Sequence, residues 1–117
     1  MENEKVLLGQ ILTDNSIYHS LEIEESDFQS IEIKRIFRAI TKCITDGLVA
    51  DIVTVSGQDH NLNNILLSGM TSNVASTANW KFYHDKIQNK SFQMKVKRLA
   101  SQFIDWSNTS APGTAID

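Results

Sequence analysis

A chain of 117 residues, 41 % hydrophobic and 21 % charged, suffices for one domain whose core buries roughly two thirds of the unfolded surface, with no need of disulfides or metal. Its single cysteine, Cys43, excludes an internal disulfide and fits a reducing, cytoplasmic compartment; no apolar run is long enough to span a membrane, and the acidic start MENEKVLLGQ is unlike a signal peptide. The net charge of −3 argues against a dedicated nucleic-acid binder, yet residues 1–59 hold 11 acids and 5 bases while residues 60–117 hold 3 acids and 6 bases, all six between Lys81 and Arg98.

Leu7 with Ile11, and Leu8 with Leu12, set an apolar helical face over 3–13. Gly9 interrupts it at a cost of about 1 kcal/mol relative to alanine, which points to close approach of a second helix. Asp14-Asn15 suits a turn. Ile17, Tyr18 and Leu21 predict a short second helix, Ser26 and Gln29 have the spacing of a capping box, and Phe28 anchors the next turn. Residues 31–45 carry the clearest pattern. Ile33, Ile36, Phe37, Ile40, Cys43 and Ile44 fit one 3.6-residue stripe, Lys34, Arg35, Arg38 and Lys42 lie off it, and Gly47 ends it as a C′ residue. Isoleucine is a mediocre helix former, so packing has to hold this helix.

In DGLVADIVTVS, residues 46–56, the β-branched side chains favour a strand. Asp51 supplies a competing reading. As an N-cap its carboxylate accepts from the N–H of Val53 or Thr54 and complements the positive helix end, so that Ile52, Val53 and Val55 open a short buried helix after a turn at Leu48–Ala50. On these residues alone both readings stay open.

Residues 56–79, rich in Ser, Asn, Gly and Thr, predict short helices and loops, with NILLSGM a short helix packed through Leu62, Ile65 and Leu66. From Thr77, a candidate N-cap, a longer pattern begins with Trp80, Tyr83 and Ile87. Phe92, Val96, Leu99, Phe103 and Trp106 follow at spacings of 4, 3, 4 and 3, a heptad seam and a candidate interface. With no Gly or Pro between 78 and 111, one helix of some thirty residues, about 45 Å long, is expected. That exceeds what the domain needs, so the excess is expected to pack on another helix or another chain. The tail SNTSAPGTAID reads as linker.

No GxxxxGK[ST] phosphate loop is present, and His19, His60 and His84 match no zinc spacing. Each reads as a surface or partly buried histidine. Cys43 reads as a buried, inert thiol. Glu22, Glu24, Glu25 and Asp27 lack the glycine and alternating ligands of an EF-hand and read as a solvated acidic loop. No catalytic, cofactor-binding or metal site is assigned. Lys86, Lys90, Lys95, Lys97 and Arg98 are either the solvent face of the long helix or contacts to nucleic acid or an acidic partner. Interleaved aromatics occur in single-strand binders, but Phe92, Phe103 and Trp106 are better used in the seam.

Four elements stand in order: ENEKVLLG (Glu2 to Gly9), SDF (Ser26 to Phe28), RIFRAI (Arg35 to Ile40) and DGLVADIVTV (Asp46 to Val55), with NWKFYHDKI (Asn79 to Ile87) further on. Together they resemble the N-terminal domain of DnaB-type replicative DNA helicases, whose patterns ExExxVLG, GxxxDxVTV and NxxxYxxx[IV] they are similar to. Ile33 stands where that family often has histidine, and Met94 where it often has arginine. The resemblance tips DIVTV towards a helix capped by Asp51.

It implies an all-α fold: a compact helical head over 1–76, a long helix over 77–107 forming the first arm of a helical hairpin, and a linker or truncated tail over 108–117, with the second arm missing or cut short. It implies a non-catalytic assembly and docking domain in DNA replication, cytoplasmic, forming a dimer or, in the full-length protein, a hexamer. The implied partners are primase and a helicase loader, with DNA contact indirect or weak and no membrane. ATP and Mg would belong to a separate motor domain, so this chain alone is expected not to be an enzyme. Two other readings are a free-standing phage or host protein of the same fold that modulates a helicase, and a weak single-strand nucleic-acid binding module.

Overall fold

In the computed structural model, which describes residues 2–109, the chain forms five α-helices: α1 Glu2–Thr13, α2 Ile31–Thr45, α3 Ile52–Gln58, α4 Asn64–Ser72 and α5 Trp80–Thr109, with 3-10 turns at Asn15–Ser20 and Glu25–Asp27. No strand occurs among the described residues. The first four helices form a head from which α5 projects, giving a body of 60 × 30 × 25 Å.

The core grows from the faces of α1 and α2. Leu7, Leu8, Ile11 and Leu12 of α1 meet Ile33, Ile36, Phe37, Ile40 and Cys43 of α2, all buried. Phe28 packs its ring 4.8 Å from that of Phe37. Three of the five isoleucines in α2, Ile33, Ile36 and Ile40, are buried in this core, each side chain worth about 1.5–3 kcal/mol. The helix stops in a Schellman motif: the Gly47 N–H donates to Ile44 O at 3.0 Å and the Leu48 N–H to Cys43 O at 2.9 Å. Gly47 takes φ of +78°, a conformation that glycine adopts without strain.

The chain then turns into α3. The Thr54 N–H donates to Asp51 Oδ1 at 2.9 Å and the Asp51 N–H to Thr54 Oγ1 at 2.9 Å, a reciprocal cap that satisfies two otherwise orphaned donors. Asn15 fixes this turn to the end of α1. It donates to Ala50 O at 3.0 Å and accepts the Ala50 N–H at 2.8 Å, pairing with the extended backbone as a neighbouring strand would. Burial along α3 is narrower than its composition predicts. Val55 is fully buried, but Val53 is 79 % exposed, because one turn of a surface helix presents only one side to the core.

Several local expectations are corrected. Ser26 and Gln29 make no capping box. Ser26 Oγ bonds Glu24 Oε1 at 3.1 Å, the Gln29 N–H donates to Glu4 Oε2 at 2.9 Å, and Ser30 is the N-cap of α2. The intervening acids are used by a 3-10 turn instead. In α4, capped by Asn63, the buried residues are Leu67 and Met70, while Ile65 is 85 % exposed. Thr77 does not cap the long helix: α5 starts at Trp80, whose N–H donates to Thr77 O at 3.3 Å, and it runs past 107 to Thr109. Residues 110–117 of the expected tail lie outside the described residues.

The rotation of α4 follows from Gly9. A Cβ built there would lie 2.3 Å from Met70 O and 3.0 Å from Val74 Cγ2, so α1 and the end of α4 touch backbone to backbone. A methyl group has nowhere to go without moving main chain. Gly9→Ala is therefore expected to destabilise the domain by about 1–3 kcal/mol, against the roughly 1 kcal/mol that alanine contributes to an unconstrained helix. Chemical denaturation of the two proteins measures the difference, and Gly57→Ala, at an open position, serves as the comparison.

Candidate functional site

The long helix is the feature that a self-contained head does not need. Its first half is docked through the stripe Trp80, His84, Ile87, Ser91 and Met94, spaced 4, 3, 4 and 3. Of these only Ile87 is a fully buried apolar side chain; His84 and Ser91 are buried and polar. His84 Nε2 accepts the Glu22 N–H at 3.0 Å and Nδ1 lies 2.9 Å from Asp85 Oδ1. An acceptor at Nε2 leaves the ring proton on Nδ1, where it donates to Asp85.

Ser91 Oγ donates to Asp27 Oδ1 at 2.6 Å, and Lys95 Nζ lies 3.1 Å from the same oxygen. The other carboxylate oxygen accepts the Glu24 N–H at 2.8 Å. At the start of α5, Gln10 Nε2 donates to Asn79 Oδ1 at 2.8 Å and to Ser76 O at 3.0 Å. None of these polar contacts was read from the sequence. The signal available was the 4-3-4-3 spacing of His84 and Ser91 with Trp80, Ile87 and Met94.

Asp27 is thus no member of a solvated loop, although Glu22 and Glu24 beside it are exposed. Burial pushes its carboxyl up, but the Ser91 hydroxyl, the Glu24 amide and the Lys95 ammonium together outweigh burial and hold it below its ordinary value. Glu25 is likewise held low, by the Arg38 guanidinium, whose Nε lies 3.0 Å from its Oε1. Asp59 is held low by the Asn61 N–H and by a two-pronged contact from Arg35. These three carboxylates brace the surface of the head.

Beyond Lys95 the helix leaves the head. Phe92, Val96, Leu99, Phe103 and Trp106 lie along one side of it, between 47 % and 66 % exposed, and the rings of Phe103 and Trp106 are 6.0 Å apart. The five candidate contact cations do not share a face. Lys95 is engaged by Asp27, and Arg98 continues the docked stripe past the head. Lys86, Lys90 and Lys97 form a separate exposed row, with Lys86 Nζ 5.4 Å from the centre of the Phe82 ring.

His19 and His60 are exposed and Cys43 is fully buried. No group of three or more His, Cys, Asp or Glu is placed to hold a metal ion among the described residues. No described helix is long and apolar enough to cross a membrane.

The family described as "DnaB-like helicase N terminal domain" matches residues 1–89. This chain belongs to that family. It is 32 % identical over 113 residues to "Replicative DNA helicase DnaB" of Buchnera aphidicola subsp. Baizongia pistaciae (strain Bp), a match covering 89 % of this chain. The chain spans only 24 % of that relative's length. In fold it is similar to the N-terminal domain of DnaB helicase from Mycobacterium tuberculosis, with a TM-score of 0.86 at 18 % identity over 92 % of this chain and 85 % of the other. A structure described as a DnaB-like replicative helicase and its interactions with primase gives 0.83 at 19 % identity, over 92 % of this chain and 28 % of the other. The all-α architecture with its long final helix is thus that of DnaB N-terminal domains. The matched family is the N-terminal domain of the helicase, not its motor.

The three low-lying carboxylates predict an acid limb of stability. Each has a folded pKa below its unfolded one, so its contribution is fully present above the unfolded value, about 4, and is lost as the pH falls through the folded value. Unfolding free energy is therefore expected to drop as the pH is lowered below about 4. Asp27→Asn should lower stability near neutral pH by about 2–3 kcal/mol, the loss of charge-assisted bonds, and flatten that limb. Denaturant titrations at a series of pH values check both; a limb unchanged in Asp27→Asn would remove Asp27 from the account.

Proposed function

We propose that this chain is a non-catalytic assembly and docking domain of a replicative DNA helicase, working in the cytoplasm with ATP and Mg handled by a separate motor domain. The observation that carries the reading is the exposed seam Phe92, Val96, Leu99 and Phe103, continued by Trp106, on a helix already docked through a different stripe. An apolar row of this kind is costly in water and fits the 4-3-4-3 packing of a partner helix. At about two heptads it is shorter than the three to four that sustain a free-standing coiled coil. This supports pairing in which a hairpin arm or a second copy supplies the rest, as a dimer here and a hexamer in the full-length protein.

Docking of primase, and of a helicase loader, is the second part of the proposal. Family membership supports it, as does likeness to the helicase described with primase. The head, braced by its ion pairs, offers the rigid surface for such a partner. Light scattering after size exclusion, with capture of the cognate primase, tests the reading. A strict monomer at high concentration that ignores both primase and loader would overturn it.

The seam makes a sharper prediction. Phe103→Asp places a charge within it, well beyond the docked half of α5. It is expected to weaken self-association by about 2 kcal/mol or more, roughly thirty-fold in Kd, while head stability stays unchanged. Sedimentation equilibrium reads the first and thermal unfolding the second. An unchanged association state means the seam is not the contact.

A further inference from the structure

We infer that the third face of α5 is a track for the backbone of single-stranded nucleic acid. Lys86, Lys90 and Lys97 stand at intervals of four and seven, so their side chains share one side of the helix, about 6 and 10 Å apart along its axis. All three are exposed, and none has an acidic partner among the described residues. The other positions of this row are Phe82, Gln93, Ala100 and Ile104; no acid interrupts it. The row is distinct from both the docked stripe and the apolar seam, so the inference does not depend on what covers the seam.

The occupant follows from the chemistry of the row. Lysine acts as a point charge towards phosphate oxygens, whereas planar recognition of carboxylates favours the arginine fork, and the row holds no arginine. At its start Phe82 is 57 % exposed and flanked by Lys81 and Lys86. An exposed ring among lysines is a platform for an unpaired base, which a duplex keeps within its stack. The remainder of the chain is acidic, so binding is confined to this face and is weak.

The test is fluorescence anisotropy of a labelled oligodeoxythymidine of about 16 nucleotides titrated with the full chain. Neutralising three phosphates gives a slope of log K against log salt near −2, a loss of about 20-fold between 50 and 200 mM salt. The triple variant Lys86→Gln, Lys90→Gln, Lys97→Gln is expected to abolish measurable binding. The equally charged head variant Lys5→Gln, Lys34→Gln, Lys42→Gln should keep the wild-type slope. Phe82→Ala should weaken binding about five-fold or more.

Circular dichroism checks that the triple variant is folded. If it is not, the single lysine variants decide, each expected to reduce the slope by about 0.7. The inference is overturned if the wild type shows no salt-dependent binding at 50 mM salt, or if the head variant loses binding as much as the α5 variant. Equal binding of duplex, or equal competition by polyglutamate, would also overturn it.

Discussion

The roll of α5 about its own axis decides what this domain shows to its surroundings, and that roll is set by polar contacts. Apolar burial is non-directional, and the docked stripe contributes only one fully buried apolar side chain, Ile87. A helix held that way could turn at little cost. The bonds from the Glu22 N–H to His84, from Ser91 to Asp27, and from Gln10 to Asn79 cannot turn with it. Each leaves a buried donor or acceptor unpaired if broken, a penalty of about 1–3 kcal/mol. A slip of one residue would swing the seam by about 100° and break all of these bonds at once.

The same logic explains the buried residues of ENEKVLLGQ, Glu2 to Gln10, that are not aliphatic. Glu4 is buried and receives the Gln29 N–H, which places the chain one residue ahead of the α2 cap. Gly9 lets the main chain at Met70 approach, and Gln10 reaches the lead-in to α5. One face of α1 therefore sets the positions of α2, α4 and α5. This has a cost, because Glu4 Oε1 and Gln10 Oε1 are buried without a hydrogen-bond partner among the described residues, so α1 carries desolvation at two of its contact points.

What could be read in the sequence depended on whether a residue's role was set locally. The α2 stripe was legible because every member from Ile33 to Ile44 faces one core, and the reason for Gly9 was legible because a glycine inside an apolar helix has few others. The long helix was legible from its lack of breakers, whereas its start was not: the turn ahead of Trp80 closes on Thr77 O and offers no cap signal. Ile65 misled because apolarity near a helix start says nothing about which way the helix is turned, and Gly9 settles that from 61 residues away. The pairs that lock α5 lie between 62 and 69 residues apart. One sequence carries no mark of such pairings, and a His and a Ser on a helix resemble its solvent face until the opposite acceptor and donor are known.

Past Lys95 the constraints on α5 change in kind. There its described side chains are largely exposed and lie outside the core cluster of the head. The apolar seam and the lysine row then sit on different sides, roughly 140° apart at 100° per residue. Association along the seam would bury Phe92, Val96, Leu99 and Phe103 while leaving Lys86, Lys90 and Lys97 facing outward. Pairing two such helices would bring two lysine rows onto one particle without burying either. Since the affinity of a charged track rises with the number of phosphates it neutralises, self-association and nucleic-acid contact would reinforce each other, with the rigid grip on His84 and Ser91 keeping both faces in register.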